Sequence, residues 1–188
     1  MSKAIAMVEY ATVATGIQAA DTMVKTAEVE LLEAEVVCPG KYIVLISGEL
    51  SAVRAAVDNS KTQHPGKLID SFVLGNPHES IFPAIYGTTE IENPRALGVV
   101  ETYSAASIIV AADIAAKTSL VDLIELRIAK GMCGKSYMLM TGEVASVQAA
   151  VDKVKEDIKE TSMFLDSSVI ANPDLKMWKT ILLCVGLC

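Results

Sequence analysis

The sequence predicts an α+β protein built from two consecutive domains of one design, each a β-α-β-β-α-β run closed by a further helix. Three observations lead there. The chain is written twice: Ser47–Asp58 returns as Thr141–Asp152, identical at 7 of 12 positions, and Ala19–Thr26 returns as Ala111–Thr118. Asp70-Ser71, Val73 and Asn76-Pro77 return as Asp166-Ser167, Val169 and Asn172-Pro173. Short apolar runs alternate with stretches of helical periodicity in the same order in both halves. A Gly-Lys pair stands at the same turn of each half, Gly40-Lys41 and Gly134-Lys135. The offset between copies drifts from 92 to 96 residues, so small insertions lie in the second. A period this long marks two domains rather than a short-repeat solenoid, bounded here at 1–90 and 94–188.

Each element follows from local chemistry. Ala4–Glu9 is apolar and reads as a buried strand. Val13, Ile17, Ala20 and Val24 fall at helical spacing within Thr12–Thr26. Glu30–Val37 partly alternates, as a strand with one wet face does. Cys38-Pro39-Gly40 breaks it, because proline lacks a donor and glycine accepts positive φ. Lys41–Ser47 returns as the second arm of a hairpin. Gly48 ends that arm, and Ser51 is placed to cap a helix buried through Val53, Ala56 and Val57. Leu68–Leu74 is a strand, and Asn76-Pro77 opens a short helix through Ile81 and Ile85. The second half repeats this: strand Ala96–Glu101, helix Ser104–Thr118, strands Val121–Ala129 and Ser136–Thr141, helix Ala145–Lys159, strand Met163–Ala171 and a helix from Asp174. The polar segment Gly87–Arg95 links the halves, and the apolar Ile181–Cys188 reads as a continuation of the last helix or as a sticky end. The order is that of the split β-α-β, ferredoxin-like pattern.

Composition narrows the function. Of 188 residues 52% are hydrophobic, and the mean hydropathy is +0.41. No run reaches the roughly 20 apolar residues that span a bilayer, so the surplus apolar surface is expected between domains and subunits. Two similar domains in one chain invite pseudosymmetric assembly, in which one residue per chain meets its copies on an axis. The net charge is −7, with −6 in residues 1–94 and −1 in residues 95–188. An acidic chain without a basic stripe is a poor nucleic-acid binder. The N-terminus has no stretch long enough for a secretion signal. The four cysteines, Cys38, Cys133, Cys184 and Cys188, form no CxxC pair and fit free thiols in a reducing, cytoplasmic setting. No triad, nucleotide loop or paired acid–base carboxylates mark an enzyme.

Asp21 with Lys25 and Asp113 with Lys117 are i,i+4 pairs, fitted to an edge contact or to solvated ion pairs. His64 and His78 are expected in surface or cap roles, and Glu33 and Glu35 as wet strand residues.

The chain resembles the tandem-domain shell proteins of bacterial microcompartments. The resemblance rests on Val8-Glu9 and Val100-Glu101, the Ala-Ala-Asp-x-x-x-Lys segments, the Gly-Lys turns, the Gly-Glu/Ala-Ala-Val helices and the closing Asn-Pro, and covers roughly residues 4–181. Within that family it is most like those of propanediol-utilisation compartments, through Cys38-Pro39-Gly40-Lys41 and Met177-Trp178. The resemblance implies a homotrimer shaped as a pseudohexamer, tiling with other shell proteins around encapsulated enzymes. It makes Lys25, Lys117, Asn76 and Asn172 tile-edge residues. Asn76 and Asn172 stand where many relatives place arginine, which removes the usual arginine contact. Cys38, Pro39, Gly40, Met132, Cys133 and Gly134 become pore-loop residues.

The resemblance also implies a [4Fe–4S] cluster at Cys38. Such a cubane usually takes four thiolates, and one chain offers a single suitable turn cysteine. One cluster per trimer would be ligated by Cys38 of three chains, with the turn's amides expected to hydrogen-bond the sulfides. The tile would then pass electrons or clusters across the shell, with encapsulated redox enzymes as partners. A small apolar turn residue lining an open metabolite pore is the alternative for Cys38. A redox partner, an extra ligand or a plain turn residue are the readings of Cys133. A ligand-binding regulatory trimer is the third reading, since this scaffold hosts many functions.

Overall fold

The structure, a computed structural model, describes residues 4–184. Cys188 and the side chain of Cys184 lie outside the described residues. The element order is β1 (Ala4–Tyr10), α1 (Val13–Thr26), β2 (Val29–Val37), β3 (Lys41–Gly48), α2 (Leu50–Gln63), β4 (Leu68–Leu74) and α3 (Ile81–Tyr86), then β5 (Ala96–Thr102), α4 (Ala105–Thr118), β6 (Val121–Arg127), β7 (Ser136–Gly142), α5 (Val144–Ile158), β8 (Phe164–Ile170) and α6 (Leu175–Cys184). Two antiparallel four-stranded sheets result, β2-β3-β1-β4 and β6-β7-β5-β8. This is the expected split β-α-β topology, formed twice. Even the irregularities recur: register shifts fall at Glu9/Tyr10 and Glu101/Thr102, and at Leu31/Glu33 and Leu123/Glu125. Bulges at matched places bend both sheets in the same way.

The residues divide into two compact units. Unit 1 runs to Pro77 and takes in Ser104–Ala106 and Ala129–Gly134; unit 2 is His78–Tyr103, Ser107–Ile128 and the chain from Lys135. In unit 1, β1 is buried along its whole length and packs with Ala19, Met23, Val53, Ala56 and Val57 of α1 and α2. In unit 2, Trp178 of α6 is 4% exposed and packs with Leu97, Ile124, Ile170 and Ile181. Helix α3 packs on β6, burying Ile81 and Ala84.

Gly16 on α1 faces Tyr42 on β3 so closely that an added Cβ would lie 2.3 Å from the Tyr42 Cβ. The equivalent positions in the second half, Ile108 and Ser136, are both fully buried. Bulk has moved from strand to helix, a volume-conserving exchange of the kind cores tolerate. Alanine at position 16 restores the bulk on one side only. Gly16→Ala is expected to lower stability by about 1–3 kcal/mol, read as a fall in the urea midpoint; an unchanged midpoint contradicts the packing.

Two local expectations need correction. Ser51 does not cap α2. The helix starts at Leu50, directly behind Gly48 and an extended Glu49, and no side chain caps it; the strand-to-helix joint is too short to leave Ser51 outside. Asn76-Pro77 does not open α3 either. His78 donates its N–H to Asp113 Oδ1 (2.8 Å), its Nδ1 meets the Ser80 hydroxyl (2.8 Å), and the Ile81 N–H bonds back to the His78 carbonyl (3.2 Å). That turn delays the helix to Ile81. His64 does hold a cap position, ending α2 with its N–H on the Ser60 carbonyl and its ring edge-on to Tyr10.

Candidate functional site

The β2–β3 hairpin places Cys38 at its end. Gly40 has φ +108°, a conformation glycine adopts without strain. Cys38 is half-buried with a free thiol. The β6–β7 loop, Ala129–Gly134, packs beside this hairpin within unit 1. The Cys38 N–H donates to the Ala129 carbonyl (3.2 Å), and Lys41 Nζ approaches the Gly134 carbonyl (3.4 Å). Lys130 Nζ pairs with Glu35 Oε1 at 2.7 Å. A Cβ on Gly134 would stand 3.1 Å from the Cys38 carbonyl, and its φ is +88°, so both space and conformation call for glycine. Met132 is half-buried, and Cys133 is exposed with φ +52°. The backbone next to Cys133 thus lies against the turn that carries Cys38.

Beneath the hairpin lies a buried ion pair. Glu9 is 0% exposed; its Oε1 accepts Lys41 Nζ at 2.8 Å and its Oε2 accepts the Ala105 N–H at 2.9 Å. Burial pushes the Glu9 carboxyl above its ordinary pKa, and Lys41 pulls it back part of the way. Glu33 is likewise raised by burial, against the opposing charge of Lys130. Glu33 and Glu35 are therefore half-buried members of the loop contact rather than purely wet strand residues.

The turn's amides are already committed. The Cys38 N–H goes to Ala129, the Gly40 N–H to the Val37 carbonyl (2.9 Å), and Pro39 has none. The expectation that they hydrogen-bond cluster sulfides is corrected on that ground. Among the described residues no group of three or more His, Cys, Asp or Glu side chains is arranged to hold a metal ion. Among the described residues a single chain offers two turn cysteines, the half-buried Cys38 and the exposed Cys133, and a soft thiolate is the ligand type an iron–sulfur cluster takes. The donor fits, provided other copies supply the rest.

The residues expected at tile edges fall into two matched sets. Lys25 pairs with Asp21 at 2.7 Å on an exposed face, and Lys117 pairs with Asp113 at 2.6 Å. Asp113 is buried and also accepts the His78 N–H, so the second pair is structural as well as ionic. Asn76 and Asn172 are both exposed, each beside a buried proline. The sequence reading missed the Glu9–Lys41 pair and the clasp of Asp70 on Ser104. The signal was present: a strand-ending glutamate and a Gly-Lys turn recur together in both halves.

These two split β-α-β domains, with their paired hairpin loops, define the class. The BMC domain model matches residues 4–77 and 96–173, and the chain belongs to this family of microcompartment shell proteins in its tandem form. It is 39% identical to the bacterial microcompartment shell protein PduT of Citrobacter freundii, over 95% of this chain and 97% of that one. A solved microcompartments protein from Desulfitobacterium hafniense DCB superposes with a TM-score of 0.84 at 45% identity, covering 95% of this chain and 99% of the other. The fused permuted hexameric shell protein MSM0275 shares the fold, with a TM-score of 0.64 at 21% identity over 85% and 83% of the two chains. The family is structural rather than catalytic. No helix among the described residues is long and apolar enough to cross a membrane.

Proposed function

We propose that this shell protein is a homotrimeric, pseudohexameric tile whose central pore carries one [4Fe–4S] cluster held by Cys38 of three chains. The observation that carries the reading is a free, half-buried cysteine at the end of the β2–β3 hairpin, in a chain of the tandem shell family. Three copies around a three-fold axis match the three-fold symmetry of a cubane, with its fourth iron left to a non-protein ligand. Such a cluster supplies one-electron transfer when bound. The tile would pass electrons or clusters between the compartment interior and the cytoplasm, with encapsulated redox enzymes and other shell proteins as partners. Lys25, Lys117, Asn76 and Asn172 would form its edges, and Cys133 would line the same pore.

A plain metabolite pore is the second reading. It is favoured by the turn's amides, which are spent within the chain rather than presented to a cofactor. Cys38→Ser separates the two. Protein purified without oxygen and then reduced is expected to give an iron–sulfur paramagnetic resonance signal that Cys38→Ser abolishes and Cys133→Ser keeps. A wild-type protein that stays silent after reconstitution with iron and sulfide contradicts the cluster and leaves the pore.

A further inference from the structure

Unit 1 contains a clamp that is closed, and unit 2 contains its copy, open. Glu9 and Asp70 are register partners on β1 and β4. Glu9 accepts the Ala105 N–H, and Asp70 accepts the Ser104 hydroxyl. Two carboxylates therefore sit on the N-terminal end of α4, where unpaired N–H groups and the helix dipole favour negative charge. Lys41 completes the set by pairing with Glu9.

Every member recurs. Glu101, Lys135 and Asp166 stand where Glu9, Lys41 and Asp70 stand, and Thr12-Val13 matches Ser104-Ala105. Glu101 and Asp166 are again register partners, and Asp166 Oδ1 accepts the Ser167 N–H (2.7 Å) as Asp70 Oδ1 accepts that of Ser71 (2.8 Å). Yet among the described residues the side chains of Glu101 and Lys135 make no hydrogen bond or ion pair, and the side chain of exposed Asp166 makes only its local one. The matching helix end is open too. Thr12 makes no side-chain cap on α1, and its hydroxyl turns to Thr15 (2.9 Å).

We propose that the Glu101–Lys135–Asp166 clamp grips the N-terminal end of α1 of a second copy of this chain, Glu101 accepting the Val13 N–H and Asp166 the Thr12 hydroxyl. The occupant is a second copy because the chain carries the complement to this clamp at its own Thr12-Val13. Each chain offers one open clamp and one open helix end, so the contact is head-to-tail and propagates until it closes. Closure at three copies rests on the trimeric reading above; the clamp does not.

The test is a Thr12→Cys, Asp166→Cys double variant treated with a short bismaleimide. Each single variant gives the background from the native cysteines. Covalent dimers and trimers specific to the double variant, with nothing larger, are expected. A ladder running past the trimer supports the clamp and overturns closure at three. Self-association of the wild type by sedimentation, without a double-specific cross-link, overturns the clamp and leaves the tile. A wild-type monomer overturns both. In parallel, Glu101→Gln is expected to weaken assembly by about tenfold or more per interface, as loss of a charged hydrogen-bond acceptor does. The exposed Glu160→Gln control is expected to leave it unchanged, and equal assembly of the two variants contradicts the role of Glu101.

Discussion

Lys41→Met is expected to destabilise the protein by about 3–5 kcal/mol at neutral pH, the cost of leaving one half of a buried pair without its partner. Glu9 is fully buried, with the Lys41 ammonium and one backbone N–H as its ligands on the two oxygens. Methionine keeps most of the volume of the lysine stem and removes the ammonium, with its charge and its hydrogen bonds to Glu9 and the Gly134 carbonyl. The loss should depend on pH in a defined direction. Burial raises the Glu9 pKa in the folded protein, so the native state binds the proton more tightly than the unfolded chain. Stability from this group is fully present below the ordinary carboxylate range and falls as pH rises through the folded value. Without Lys41 the folded value moves higher, and the penalty grows towards neutrality. Urea unfolding of wild type and variant at equal protein concentration, at pH 7 and near pH 5, is the measurement. The gap should narrow on acidification; a gap under about 1 kcal/mol at pH 7 would match an exposed pair instead.

Trp178→Ala is the second large effect, expected at about 3–5 kcal/mol, as for other buried aromatic truncations. Trp178 lies 4% exposed against Leu97 and Ile124, which ties α6 to β5 and β6 of unit 2. The Trp178 N–H bonds to the Asp174 carbonyl at 3.0 Å, while Asp174 Oδ1 accepts the Lys176 N–H at 2.8 Å, so the helix start is fixed locally. The variant lacks the chain's single tryptophan, so circular dichroism is the readout. A variant as stable as wild type would show that α6 contributes little to unit 2.

The duplication made most of the fold legible. Alternation marked β2, helical spacing marked α1, and Cys38-Pro39-Gly40 marked the hairpin turn, because each signal is local in sequence. What was not legible depends on register and tertiary placement. The Glu9–Lys41 pair exists because Glu9 lies opposite Ile43, two residues along from Lys41 on the same face of the sheet. The first turn of α4 belongs to unit 1, which no periodicity reveals. Asn76-Pro77 carries the local signature of a helix start, and the His78–Asp113 bond, 35 residues apart, overrides it. The amides of the Cys38 turn were open in sequence and are closed in space by Ala129 and Val37. The expectation of a trimer and a cluster came from the resemblance to tandem shell proteins, since no single-chain pattern contains either.

The open clamp adds a physical reason for assembly. A chain that satisfies one copy of a duplicated polar set internally and leaves the other bare has a surface shaped by its own sequence to receive itself. In the proposed trimer the half-buried hairpin cysteine would gain two counterparts through assembly rather than through folding.

The most direct measurement is the mass and metal content of the same oxygen-protected sample. The account predicts sedimentation at three times the 20.0 kDa of one chain, with about four irons and four sulfides per three chains. A protein that sediments as a single chain, or a trimer that takes up no iron on reconstitution, would contradict it.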